Sequence, residues 1–434
     1  MIKKLVLIFI AVIAIKSYGQ EGTASPYSFY GIGSLKFKGT VENRSMGGLS
    51  IYSDSIHVNL RNPASYAGNN FKGLNDGSSL VKYTVGGTYS NINLKSDSGS
   101  DKASSTTFDY LAMNIPMGKF GVGFGLMPYT SVGYKLESLN DSGNLSHRFT
   151  GKGGLNKVFM GLGYQIVDGL SIGVDFQYNF GNIQNSTVAF NYDDDGIPTQ
   201  YQSRENNRSD LSGLNVNLGV NYKTMLTEKL EFVSALTYTP QSDLASENER
   251  SYSTITLSST GQEFVVDTID EDLEAEGLQQ TDLIMPSKLS FGAGIGQPLK
   301  WFVGVETEFL SSSKFSNELY RTGTSAYEDS KKYTIGGFFI PQYNSFNNYF
   351  KRVTYRAGMH FENTGLQFED ESINEFGISF GVGLPVGTFF SNANLGLELG
   401  KRGTTNSNLI QENFINFQLS LSLNDRWFQK RKYD

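Results

Sequence analysis

The chain has 434 residues with 48 Gly, 10 Pro and no Cys, a formal net charge of -7, and 13% aromatic residues in which Tyr and Phe far outnumber Trp. The lack of cysteine excludes disulfides and thiolate chemistry, and the acidic balance carries no nucleic-acid footprint. Length alone would suit about two or three soluble domains. The abundance of Gly, Tyr and Phe with few long apolar runs instead suits an all-β wall with one face in lipid and the other in water, and a mean hydropathy of -0.30 averages over such faces.

The first residues read as an export signal, residues 1–19. Lys3 and Lys4 precede the apolar run Leu5 to Ile15, and the small residues Ser17 and Gly19 set cleavage before Gln20. No later stretch approaches the roughly 20 consecutive apolar residues of a transmembrane helix, so the exported chain enters a membrane as a barrel or not at all.

Residues 20–78 form a leader of weak periodicity. Its centre, Arg44 to Ala67, is too broken for a helix and too irregular for a barrel strand. Gly47 and Gly48 interrupt it, and Asn62-Pro63 turns it. Ser50, Ser53, Asp54, Ser55, Asn59 and Arg61 could bond to a polar lining. Such backbone is tolerated at membrane depth only when buried in protein. The leader is therefore expected to be a plug, or hatch, inside a barrel built by residues 79–423; a surface loop is the bland alternative.

Strand signals follow. Phe120, Val122, Phe124, Leu126, Val132, Tyr134 and Leu136 share one face, and Gly121, Gly123, Gly125, Ser131, Gly133 and Lys135 the other. The same period of two runs through Leu170–Gly181 and Leu214–Lys223, and more weakly through eight later or intervening stretches. Short connections such as Met117-Gly118-Lys119, Val167-Asp168-Gly169 and Pro385-Val386-Gly387 alternate with longer polar ones at Ser96–Ser104, Glu137–Leu145, Asn191–Asp210, Gln241–Asp282, Ser311–Ser330 and Arg402–Asn408. Short periplasmic turns and long outer loops are the habit of outer-membrane barrels, and the turn count gives about 14 antiparallel strands. The acidic run Asp267–Glu276 reads as a solvated face or a short loop helix, and the basic residues 424–434 as a periplasmic tail. A soluble β-sandwich also alternates, but Gly-rich inner faces leave room for a plug.

Arg44-Ser45-Met46-Gly47-Gly48, then Ser53-Asp54, then Asn62-Pro63-Ala64, resembles the start of FadL-type outer-membrane transporters and of the PorV-like barrels of Bacteroidetes type IX secretion. Leu126-Met127-Pro128-Tyr129, Ile284 to Leu289 and the ending Leu421 to Phe428 are similar to later stretches of that superfamily. The resemblance implies a 14-stranded transmembrane β-barrel in the cell outer membrane with an N-terminal hatch in the lumen. It also implies a hatch of Arg44, Met46, Gly47, Gly48, Asn59, Asn62, Pro63 and Ala64, and a strand-three kink at Met127, Pro128 and Tyr129. Proline removes a ladder N–H in a wall that has no edge. The kink is either a plain bulge or a lateral exit for a lipid-like substrate.

Lys135, Asp175, Lys223, Glu306, Glu308, Arg356, His360 and Glu362, with Lys288 and Glu398, fall on the expected lumen face. They either pair with one another and with the plug or line a polar route; Arg356 is the best partner for a carboxylate. His57, His147 and His360 lie far apart in sequence, and Ser146 beside His147 makes no triad, so no catalytic residue, metal or cofactor is assigned; Asp193-Asp194-Asp195-Gly196 lacks the ligand spacing of a calcium loop. The expected function is passive uptake of a hydrophobic small molecule, with outer-membrane lipid as surroundings and Met127, Tyr129, Phe338, Phe339 and Ile340 as apolar contacts. The alternative is a non-conducting barrel that binds a protein partner in a type IX secretion apparatus.

Overall fold

The computed structural model describes residues 22–68, 79–97, 99–258, 260–315, 325–368, 371–387 and 391–427. The expected export signal, the end of the leader and residues 428–434 lie outside them.

Fourteen antiparallel strands form the wall. They are β1 (Ser79–Ser96), β2 (Gly99–Met117), β3 (Phe120–Pro128 and Thr130–Leu139), β4 (Leu145–Val167), β5 (Leu170–Ala189), β6 (Gln202–Met225), β7 (Glu231–Thr239 and Ser242–Leu257), β8 (Gln280–Met285 and Lys288–Gln297), β9 (Trp301–Leu310), β10 (Ser330–Phe339), β11 (Thr354–Phe368), β12 (Glu371–Pro385), β13 (Asn392–Arg402) and β14 (Gln411–Trp427). Each pairs with its sequence neighbours. β14 closes the ring on β1, from Ser79↔Trp427 to Lys95↔Gln411. No helix is long and apolar enough to cross a membrane; the chain crosses with strands. Closure is the only way a sheet can satisfy every backbone N–H and C=O in hydrocarbon.

The outward face is apolar, as on Phe120, Phe124 and Leu126 of β3, Met160 and Leu162 of β4, and Phe176 and Tyr178 of β5, all exposed. The inward residues between them are polar or Gly: Asp175, Gln177 and Asn179 are almost wholly buried.

The wall is taller than a bilayer needs. β6 has 24 residues. At about 3.4 Å per residue and a tilt of about 40°, it rises roughly 60 Å, against about 30 Å of hydrocarbon. Several expected loops are therefore strands. Ser96–Ser104 is mostly ladder, β6 absorbs half of Asn191–Asp210, and Gln241–Asp282 contains the hairpin Ser242–Leu257 with Glu263–Asp270. Asp267–Asp270 is hairpin strand, and turns, not a helix, follow it to Gly277. Above the membrane both faces meet water, so the sequence there has no hydrophobic alternation to reveal a strand. At the other end β14 runs on to Trp427, so residues 424–427 belong to the wall and not to a tail.

The expected face of β3 holds only as far as its proline. Phe120, Phe124 and Leu126 point out. Beyond the break at Tyr129, Val132 (1% exposed) and Tyr134 (6%) point in and Leu136 packs with them, whereas Lys135 is exposed. A one-residue break reverses every later side chain.

The leader lies within the ring. Its polar groups bond to strands on opposite sides: Asn62 Nδ2 to the Val220 carbonyl of β6 (2.9 Å), Ser50 N to Glu306 of β9 (2.7 Å), Arg44 Nε to Glu398 of β13 (3.1 Å) and, from the wall, Lys82 Nζ of β1 to the Asp54 carbonyl (3.0 Å). Inward glycines give it room. A Cβ on Gly121 would overlap the Tyr66 carbonyl, on Gly173 the backbone of Pro63, and on Gly336 or Gly358 the Met46 carbonyl.

Gly121→Val should therefore destabilise the docked leader by about 1–3 kcal/mol, read as faster proteolysis of residues 22–68 with unchanged heat-modifiable gel migration of the barrel. Gly99→Ala, where a Cβ meets nothing within 4 Å, should leave proteolysis as in the parent.

Candidate functional site

The stretch Arg44 to Ala67 has two tight turns and a loop between them. A four-residue α-helix, Val41–Arg44, is capped by Thr40, whose hydroxyl accepts from Asn43 N while Asn43 Oδ1 accepts from Thr40 N. Gly47 (φ +73°) and Gly48 (φ +99°) then turn the chain in the left-handed region. At the other end Asn59 Oδ1 accepts from Arg61 N and Asn62 N, and Asn62 Oδ1 from Ala64 N, starting the 3-10 turn Pro63–Tyr66. The fully buried Ala64 sits in that turn.

Four apolar clusters join leader and wall, one of them Tyr27 with Phe368 and Ile373. Ile32 packs with Val132, Leu155, Ile183, Leu211, Leu244 and Leu283. Val41, Val58, Leu60 and Tyr66 meet Tyr110, Met127 and Phe159. Met46, Leu49 and Ile51 meet Val233 and Phe302. Phe338 joins this last cluster. Phe339 faces outward and Ile340 begins the connection to β11, on the same side as the short turns. Those two residues are therefore not outer-loop contacts, because a fourteen-residue connection, 340–353, takes the place of a tight turn there.

The charged lumen residues are mostly in pairs. Arg61 lies against Glu306 (3.3 Å) and Glu308, and Glu308 also holds Lys288 (2.5 Å). Glu362 holds Lys332 (2.7 Å), His360 Nε2 meets Glu375 (3.1 Å), and Lys223 meets Glu231 (2.9 Å). Asp175 accepts from Asn217 Nδ2 (3.2 Å). Lys135 is not among them: beyond the break at Tyr129 it is exposed on the outer face, in register with Thr150 and on the same side as Lys152. Arg356 has one hydrogen bond, to Asn394 (3.2 Å), and no carboxylate in ion-pair range among the described residues. Ser146 Oγ bonds His147 Nδ1 (2.7 Å), yet no carboxylate orients that ring among the described residues. The Asp193 carboxylate caps its own turn, accepting from Asp195 N and Ile197 N.

The wall has a seam that the ladder leaves open. β2 pairs with β3 only between Leu111↔Leu126 and Met117↔Phe120. From Gly99 to Tyr110 it has no β3 partner among the described residues. The outer piece of β3 binds the leader instead: the short strand Ser34–Leu35 pairs with Ser131 and Thr130, Lys36 N donates to the Tyr129 carbonyl (2.9 Å), and Gly133 N donates to Ser28 Oγ (3.1 Å). Pro128 is where the two arrangements meet, as it has no N–H to offer. The leader strand was missed in the sequence, because two residues show no period. A cavity of about 120 Å³ lies at the seam beside Leu35, Phe37, Thr107 and Pro128.

A family model described as BamG matches residues 1–434. The chain belongs to the BamG family. No curated protein matches the sequence. The fold of this BamG-family chain is that of the FadL-type barrels. It is similar to the toluene transporter TodX of P. putida (TM-score 0.61, 15% identity, 91% of this chain and 100% of that one). It is also similar to the toluene transporter TbuX of Ralstonia pickettii (0.58, 14%, 89% and 98%) and to a Pseudomonas aeruginosa FadL homologue (0.56, 11%, 90% and 98%). The BamG-family barrel is an outer-membrane protein.

Lys38 of the leader is half-buried, and burial pushes its ammonium down to about 8 against the pull of Asp175. An unfolded chain keeps that proton to about pH 10.4. Between these values the unfolded state binds more protons, so stability rises with pH. Lys38→Met should remove this part of the rise, read as a smaller shift in urea midpoint from about pH 8 to about pH 10 than in the parent.

Proposed function

We propose that this BamG-family barrel admits hydrophobic small molecules passively, with the leader as a hatch and the seam between β2 and β3 as a lateral exit. The observation that carries this reading is the exchange of partners at Pro128. The outer half of β3 is zipped to Ser34–Leu35 of the leader and not to β2. A leader that shifts would free an edge in the wall without breaking any β2–β3 ladder. Arg44, Met46, Gly47, Gly48, Asn59, Asn62, Pro63 and Ala64 hold the hatch in its docked shape. Met127 and Tyr129 flank the exit. The similarity in fold to proteins named as toluene transporters supports a hydrophobic cargo. No chemistry is catalysed in this reading.

A second reading, a non-conducting barrel that binds a protein partner such as a type IX secretion component, is favoured by one feature. The hairpin above the bilayer carries exposed Phe264, Val265, Val266 and Ile269 on a strand that pairs only with β7 among the described residues.

The chain has no native cysteine, so the register pair Ser34↔Ser131 can be replaced cleanly. In cells lacking their own hydrophobic-compound channels, the parent protein should raise uptake of labelled toluene. The oxidised Ser34→Cys/Ser131→Cys protein should take up no more than cells without the barrel, and reductant should restore uptake. Equal uptake by the oxidised and reduced forms would end the hatch; no uptake by the parent would end passive transport and leave the partner-binding reading.

A further inference from the structure

A second cavity, of about 560 Å³, opens at the short-turn end of the lumen, away from the seam. One wall is apolar, from Met46, Val58, Phe338 and Ile340. Phe346, 98% exposed, stands at its lip on the connection between β10 and β11. The volume is that of a small-molecule site.

The other wall holds polar groups of opposite demand. Arg356 of β11 is 7% exposed, lines the cavity, and spends only one of its five N–H groups, on Asn394 Oδ1. Glu42 of the leader helix is 5% exposed. Its Oε1 accepts from Asn394 Nδ2 (2.8 Å) and Ser422 Oγ (2.6 Å), while its buried Oε2 has no partner among the described residues. One amide, that of Asn394, thus separates a guanidinium with donors to spare from a carboxylate oxygen that lacks a donor. His57 adds a buried Nε2 without a partner, 4.0 Å from Glu42 Oε1; its Nδ1 is held by Asp54 (2.7 Å). Asp54 is therefore occupied, and Lys82 Nζ fixes the carbonyls of Asp54 and His57. A buried polar atom without a partner is costly and calls for explanation.

A monocarboxylate would satisfy Arg356 and leave Glu42 Oε2 bare, with a like charge brought beside it. A neutral hydrocarbon would satisfy neither. We propose that this cavity binds a zwitterion with an apolar side group, of amino-acid to dipeptide size. The carboxylate of the ligand lies on Arg356, its ammonium donates to Glu42 Oε2 and to His57 Nε2, and its side group lies on Met46 and Phe338. The Asp54 bond to Nδ1 suits this role, because it leaves Nε2 of a neutral ring as the acceptor. The site goes beyond the uptake reading and does not rest on it: it can fill whether or not the lumen conducts.

The test is calorimetric titration of the detergent-purified full barrel with the dipeptide Leu-Phe, N-acetyl-Leu-Phe, Leu-Phe-amide and octanoate. Saturable binding of Leu-Phe is expected, weakened at least about tenfold by capping either end, since each cap removes a charge-assisted bond. Arg356→Met and Glu42→Gln should each weaken Leu-Phe by a similar factor. Glu42→Gln should discriminate less against the acetylated form than the parent does, since that form has no ammonium to place on the carboxylate. Octanoate binding as tight as Leu-Phe would overturn the zwitterion in favour of a monocarboxylate, and no saturable binding of Leu-Phe would overturn the site. Should either variant fail to fold by gel migration, the capped ligands on the parent protein still decide the matter.

Discussion

Backbone hydrogen bonding without water is the constraint on which this structure depends. In hydrocarbon each N–H and C=O must find a partner in protein, and a ring of fourteen strands provides one nearly everywhere. The outer β2–β3 boundary is one exception among the described residues, and there the leader supplies part of the pairing. The leader is thus both the filling of the lumen and a piece of its wall. This double duty ties the shape of the leader to the integrity of the barrel.

The filling is held by two kinds of contact with different tolerances. The apolar clusters around Ile32, Leu60 and Leu49 exclude water and are roughly additive in area. The ion pairs Arg44–Glu398 and Arg61–Glu306 are specific in geometry. A buried pair contributes little net stability, yet breaking one side leaves a charge uncompensated. Such pairs make the docked position of the leader unique more than they make it strong. The inward glycines act in the same sense, since Gly121, Gly173, Gly336 and Gly358 admit leader backbone where any side chain would clash.

Two openings with different chemistry border the leader. The one at the seam is small and lies where strand pairing changes hands. The one at the turn end is larger, with one apolar wall and, on the other, the Arg356 guanidinium and a Glu42 oxygen that lacks a donor among the described residues. Movement of the leader would alter both, because Glu42 and Arg44 sit on one short helix and bond to β13 through Asn394 and Glu398.

Much of this could be read from the chain. A period of two in Leu170–Gly181, glycines on the inner faces, and a leader broken at Gly47-Gly48 and Asn62-Pro63 give the strands and the turns of the leader, because those features follow from local geometry alone. The break at Pro128 puts Lys135 on the outer face, whereas Asp175, Glu306, Arg356 and His360 were legible as inward residues. Their partners were not: Arg44 finds Glu398 across 354 positions of sequence, and nothing local encodes that distance. The reversal of Val132 and Tyr134 was hidden because the alternation resumes unchanged after Pro128, and only the pairing with β4 shows that it resumes one residue out of phase. The tall polar strands were hidden because water on both faces leaves no pattern. The sequence thus determined that a wall of alternating strands would close. Tertiary structure decided which edge the leader would mend and which charges it would meet, since those choices belong to segments far apart in the chain that are brought together only by closure of the ring.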